Sequence, residues 1–134
     1  EKTLEIEYKD SIVLKILETI DRIKADTIIC PWIDDLHRDH REVARMAIGA
    51  SRKIPRVLMG QGNWYIAEKM FTPNIFFDIS DTYNDKIKAL ECYESEMIRV
   101  GDSYKTILDS LSTYYGFISS TERAEGFIAN KFSL

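Results

Sequence analysis

The sequence predicts an α/β fold, a Rossmann-like, mostly parallel sheet with flanking helices. Three observations predict it. Short apolar, partly β-branched runs at 27–30, 56–59 and 75–77 have the length and composition of buried strands. The segments between several of them carry apolar residues at helical spacing. Strands and helices alternate along the chain, which is the order of βα units around a parallel sheet.

The elements follow in order. Leu4, Ile6 and Tyr8 alternate with Thr3, Glu5 and Glu7, a period of two that suggests a short strand or extended edge segment. Asp10 is the expected N-cap of a helix running to about Lys24, with Ile12, Val13, Ile16, Leu17, Ile20 and Ile23 on one face. Thr27 to Cys30 is a strand closed by Pro31, with Cys30 at its buried end. A polar segment then leads into a second helix bearing Val43, Ala44, Met46, Ala47 and Ile48, which Lys53-Ile54-Pro55 ends. Arg56 to Met59 is a strand broken by Gly60-Gln61-Gly62. Ile75 to Phe77 is a third, with Phe71, Phe76 and Phe77 expected in the core. A helix is expected from about Asp81 to Glu94, with Ile87, Leu90 and Tyr93 inward. Another runs from about Ser103 to Ser112 or beyond, and Ala124 to Phe127 reads as a closing strand.

The 134 residues are expected to form one α/β unit over 1–134, since no linker, repeat or low-complexity tract interrupts them. Hydrophobic residues at 45% and charged residues at 30% exclude disordered and collagen-like chains. A formal net charge of −4 argues against a nucleic-acid partner bound through phosphate neutralisation. Two cysteines, without C-x-x-C spacing, fit a reduced cytoplasmic protein better than an exported, disulfide-stapled one. No apolar run is long enough for a membrane span. The sequence opens at Glu1 rather than methionine, as a segment of a longer chain would.

Ligands of such sheets collect at the carboxyl ends of strands. Two loops qualify, the polar segment after Cys30 and the segment Gly60 to Tyr65. The first contains both histidines of the protein, in His37-Arg38-Asp39-His40. At a helix start, residues three apart share a face, so both imidazoles can serve one site. Asp35 and Asp39 lie within a turn or two, and a carboxylate beside an imidazole fixes its tautomer and raises its basicity. Metal coordination and acid–base catalysis both use such a set; solvent-exposed or cap-bound histidines are the structural alternative. Zinc needs three or four protein ligands, so two histidines do not complete a site. His37-Arg38-Asp39 also matches the start of a kinase catalytic loop, but the required asparagine is Ala44 here, which argues against phosphoryl transfer. Arg38, Arg41, Arg45, Arg52, Lys53 and Arg56 form a basic stretch, read either as a solvated helix face or as a dock for a small anion. Trp64 and Tyr65 would either stack on a sugar ring or serve as a lid or oligomer contact. Trp32 reads as packing.

The run from Pro31 through Asp35, His37, Asp39, His40 and Arg41 resembles the D-x-H-x-D-H-R motif of the PIG-L (LmbE-like) deacetylase family. Further likeness lies in Phe71-Thr72-Pro73-Asn74 with Phe77-Asp78-Ile79-Ser80. It continues in Lys86, Ala89-Leu90 and Tyr93-Glu94-Ser95-Glu96, and in Gly116 with Ala124-Glu125-Gly126-Phe127. The four blocks stand in the family's order and cover most of the chain from about Asp26. The resemblance implies a zinc-dependent hydrolase that removes an acetyl group from an N-acetylated amino sugar or its conjugate. It implies His40 as a zinc ligand (another divalent metal being an alternative). His37 would stabilise the oxyanion or protonate the leaving amine, and Asp39 would orient its ring. Asp35, Arg38 and Trp64 become candidate substrate contacts. The family's H-P-D-D-E motif, with the other two ligands and the general base, is absent from these residues. The chain is therefore expected to be the C-terminal part of a deacetylase-like domain, inactive alone. Apolar surface is expected where the missing N-terminal half packs, with partner chains of a homo-oligomer as another cover. The departures are Arg38 for proline, Glu96 for glutamine, Ser120 for the second glycine of the closing motif, and Gly60-Gln61 for Tyr-Glu. A competing reading is a non-catalytic or degenerate member that binds a small ligand.

Overall fold

The computed structural model describes residues 5–62 and 68–133. Its elements are α1 (Asp10–Ile23), β1 (Thr27–Pro31), α2 (Arg38–Ala50), β2 (Arg56–Gly60), β3 (Ile75–Asp78), α3 (Tyr83–Glu91), α4 (Glu94–Val100), α5 (Asp102–Ser119) and β4 (Ala124–Phe132). The strands form a four-stranded sheet in the order β1-β2-β4-β3. β1 and β2 pair in parallel from Thr27↔Arg56 to Pro31↔Gly60, joined by the crossover helix α2. β4 runs antiparallel to β2, with Met59 opposite Ile128 and a register shift between Val57 and Leu58. The Rossmann-like α/β class therefore stands, and the sheet expected to be mostly parallel is mixed, with β1–β2 parallel and β2–β4 antiparallel.

The chain divides into two compact units, 1–75 with 127–134, and 76–126. In the first, α1 and α2 bury apolar stripes against β1 and β2. Ile20, Ala50, Ile54 and Val57 form one cluster, with Val13, Ile16 and Leu17 packed on it. Cys30, Trp32, Ala47 and Met59 form a second, against which Phe71 sets its ring edge-on to Trp32 at 5.6 Å. In the second unit, Phe76 meets Tyr115 at 5.7 Å. Arg123 lies over the Tyr83 ring and bonds Asp109 and Thr113. The Tyr83 hydroxyl and Arg123 hold the Asp109 carboxyl below its ordinary range. Lys86 pairs with Glu125.

Several expectations are corrected. Residues 5–9 form no strand; the Ile6 N–H donates to Asp39 Oδ1 at 3.1 Å instead of entering a ladder. Asp10 is the first helical residue rather than the cap, because Lys9 holds the extended cap conformation. α2 ends at Ala50, before Pro55, through Ser51, whose N–H and hydroxyl both bond the Ile48 carbonyl. The helix expected over 81–94 is α3, which ends at Glu91, and a further helix, α4, which was not expected, follows Cys92 and Tyr93. Tyr93, expected inward, is 65% exposed, and so is Phe77 at 43%. Helical and strand periodicity mark a face, but they do not fix how deeply that face is covered.

Candidate functional site

The site is built where β1 ends. The Trp32 N–H donates to the Gly60 carbonyl at 2.9 Å, extending the parallel ladder one step past Pro31. The chain then turns, and the Asp35 N–H returns to the Trp32 carbonyl at 3.2 Å. Asp35 is only 2% exposed. A carboxylate that deep needs donors on both oxygens. Oδ1 accepts from the His37 backbone N–H at 2.7 Å, and Oδ2 faces His40 Nδ1 at 3.0 Å.

His37 is the N-cap of α2, with extended backbone angles of −74° and 123°. Its Nδ1 accepts the Asp39 N–H at 3.2 Å, the role usually taken by a serine or aspartate oxygen. Cap and third helical residue lie on one side of the first turn, so the two imidazoles meet with centroids 4.7 Å apart at 32°.

These hydrogen bonds give the two rings opposite polarity. A carboxylate only accepts, so His40 Nδ1 carries the hydrogen and Nε2 keeps a lone pair. His37 Nδ1 is itself an acceptor, so in the neutral ring the hydrogen sits on Nε2. One ring thus offers an acceptor or metal-ligand nitrogen, the neighbouring ring a donor.

The other expected residues distribute as follows. Asp39 contributes its backbone N–H to His37, while its Oδ1 accepts from Ile6. Arg38 is exposed at the first position of α2. Trp64 and Tyr65 lie outside the described residues. Trp32 and Phe71 pack, as their apolar surroundings suggested. Cys30 is buried, and desolvation pushes its thiol up to about 11, the direction that makes it unreactive. Within the basic stretch, Arg45 pairs with Glu42, and Arg56 with Asp26. Arg41 turns inward, where Nη1 donates to the carbonyls of Asp35 at 2.7 Å and Leu36 at 2.6 Å. Gly62 is the residue that sequence reasoning missed, and Arg41, named there in the motif and the basic stretch, was given no part in holding the loop. A Cβ at Gly62 would come within 2.7 Å of His40 Nδ1. The only sequence signal for Gly62 was its place in the loop at the neighbouring strand end.

His40 Nε2 is the ring nitrogen that the Asp35 hydrogen bond leaves open. A carboxylate on one ring nitrogen is the usual support of a ligating imidazole. Among the described residues, no group of three or more His, Cys, Asp or Glu is arranged to hold a metal.

No protein-family model matches the chain. Solved structures share its fold. The conserved protein TT1542 of Thermus thermophilus superposes with a TM-score of 0.80 at 22% identity, covering 97% of this chain and 63% of its own. The N,N'-diacetylchitobiose deacetylase of Pyrococcus horikoshii, in complex with its inhibitor MPG, gives 0.76 at 16% identity, over 96% and 54%. GalB, the 4-carboxy-2-hydroxymuconate hydratase of Pseudomonas putida KT2440, gives 0.78 at 14%, over 98% and 62%. At these identities the likeness establishes the fold, and this fold carries more than one chemistry. The chain spans less than two thirds of the length of each of these neighbours. Among the described residues, no helix is long and apolar enough to cross a membrane.

Proposed function

We propose that this chain supplies one side of a metal-dependent amide hydrolase site. More particularly, it would be the C-terminal part of a PIG-L/LmbE-like, zinc-dependent deacetylase acting on an N-acetylated amino sugar or its conjugate. The carrying observation is the opposite polarity of His37 and His40, set by Asp39 N–H and Asp35. The motif carrying those histidines and the fold of the diacetylchitobiose deacetylase support the same reading.

His40 Nε2 would hold the zinc, together with ligands from outside the described residues. Bound zinc would lower the pKa of a water and polarise the amide carbonyl. Asp35 holds the His40 ring in the ligating tautomer. His37 donates from Nε2–H to the carbonyl oxygen as negative charge develops there, and the proton given up by the attacking water passes, through a base from outside the described residues, to the departing amine. The C–N bond breaks, water contributes the hydroxyl of the released acetate, and the amine leaves neutral. Arg38 and Trp64 remain the proposed contacts to the rest of the substrate.

The test is metal content and acetate release by the intact parent protein and two variants. His40→Ala should lose stoichiometric zinc. His37→Ala should keep zinc and lose about 10²–10⁴-fold in kcat. Equal zinc loss in both variants would sink the assignment of roles, and absence of zinc from the parent purified without chelator would sink the hydrolase reading. The isolated 134 residues should bind zinc weakly and release no acetate.

A further inference from the structure

We propose that Gly62 is a positioning residue for His40: the loop after β2 lies on the His40–Asp35 hydrogen bond, and only a residue without a side chain leaves that bond intact. This rests on the reading of His40 as the working nitrogen of the site. An ideal Cβ on Gly62 would stand 2.7 Å from His40 Nδ1, 2.8 Å from His40 Cε1 and 3.2 Å from Asp35 Oδ2. The first two are closer than packed atoms tolerate. The three atoms are the two ends of one hydrogen bond and the ring carbon beside it.

The glycine is not there for its backbone. The positive-φ glycine among the described residues is Gly101. Gly62 does not hold a positive φ, so the left-handed region gives no reason for a glycine there. The whole cost of a side chain at 62 falls on its two neighbours.

Those neighbours do not yield equally. The Asp35 side chain is 1% exposed, its other oxygen is held by the His37 N–H, and its carbonyl is held by Arg41. The His40 side chain is 34% exposed and has Asp35 as its hydrogen-bond partner. The loop is anchored two residues back, where Gly60 pairs with Pro31 and accepts from Trp32. A Cβ added at Gly60 would meet the Phe127 ring at 3.4 Å. A methyl at 62 therefore swings His40 off Asp35 and releases the tautomer that the carboxylate selects.

The experiment uses the 134-residue chain labelled with ¹⁵N-histidine. The wild type should show a His40 Nδ1–H proton protected by Asp35. Gly62→Ala should lose that signal, while Gly49→Ala, whose added Cβ meets only the Tyr8 hydroxyl at 3.5 Å, should keep it. Thermal unfolding completes a cycle. Gly62→Ala should lower Tm when His40 is present. In a His40→Ala background, where the obstruction is gone, it should leave Tm unchanged or raise it. An unchanged His40 signal in Gly62→Ala, or the same Tm loss in both backgrounds, overturns the proposal by showing that the loop gives way. If Gly62→Ala is too unstable for spectroscopy, recovery in the His40→Ala background still supports it and continued instability refutes it. Neither readout involves zinc or substrate, so failure here and failure of the hydrolase reading are separate results.

Discussion

At the scale of single residues, the site is governed by where hydrogen atoms sit. Asp35 is buried and accepts from one histidine's backbone and the other's ring. Arg41 fixes the loop that presents it, through one nitrogen and two successive carbonyls. Arg41→Ala should therefore cost about 2 kcal/mol in urea unfolding, the range for hydrogen bonds with a charged donor. An unchanged midpoint would show the loop to be self-supporting. The cysteines give a contrast in chemistry. Cys92 is exposed, whereas burial raises Cys30 from 9.0 to about 11. Iodoacetamide at pH 8 should label Cys92 rapidly and Cys30 only on unfolding. The folded state favours the neutral thiol, so this contribution to stability is full below about 9 and is lost as pH rises through about 11. Unfolding midpoints of wild type and Cys30→Ala should converge across that interval.

Elements, rather than residues, decide where the functional loops go. The parallel pairing of β1 with β2 brings their carboxyl ends side by side, so the loop after Gly60 arrives at the histidines of α2. In the second unit, the direction of β4 is set at the end of α5. Ser120 takes the left-handed conformation, the Thr121 N–H returns to the Gly116 carbonyl at 2.9 Å, and the chain reverses. Gly116 makes this possible, since a Cβ there would lie 2.6 Å from the Glu122 carbonyl oxygen. Backbone cannot move aside as a side chain can. Gly116→Ala should cost about 1–3 kcal/mol, the usual penalty of overpacking, and should loosen hydrogen exchange at the start of β4. Unaltered exchange there would refute the close approach as the cause.

At the scale of the whole molecule, β1 is the end strand of the sheet among the described residues. Its Ile29 is 64% exposed, and beside it Ile12, Ile16, Ile20, Ile23 and Ile28 line an open groove between α1 and β1. Exposed apolar edges of this kind template association. The isolated chain should show concentration-dependent association by light scattering, and Ile29→Lys should suppress it without lowering Tm. Equal association in the variant would place the contact elsewhere.

The sequence by itself determined the α/β alternation, because β-branched runs and 3.6-residue stripes are local properties of the chain. It also placed both histidines at a helix start after a strand, because spacing alone puts Ncap and N3 on one face. The mixed direction of the sheet was not legible, since strand polarity depends on where a distant turn sends the chain. Nor was the separation of α3 from α4, where no proline or glycine marks the break at Cys92 and Tyr93. Tertiary structure alone decided which carboxylate serves which ring. Asp35 and Asp39 looked equivalent by spacing, but only Asp35 is buried with both oxygens turned to the histidine loop, while the Asp39 carboxylate accepts from Ile6. Gly62, far from His40 along the chain, reaches the same hydrogen bond only because two parallel strands end together, and that closeness is a property of the sheet rather than of the chain.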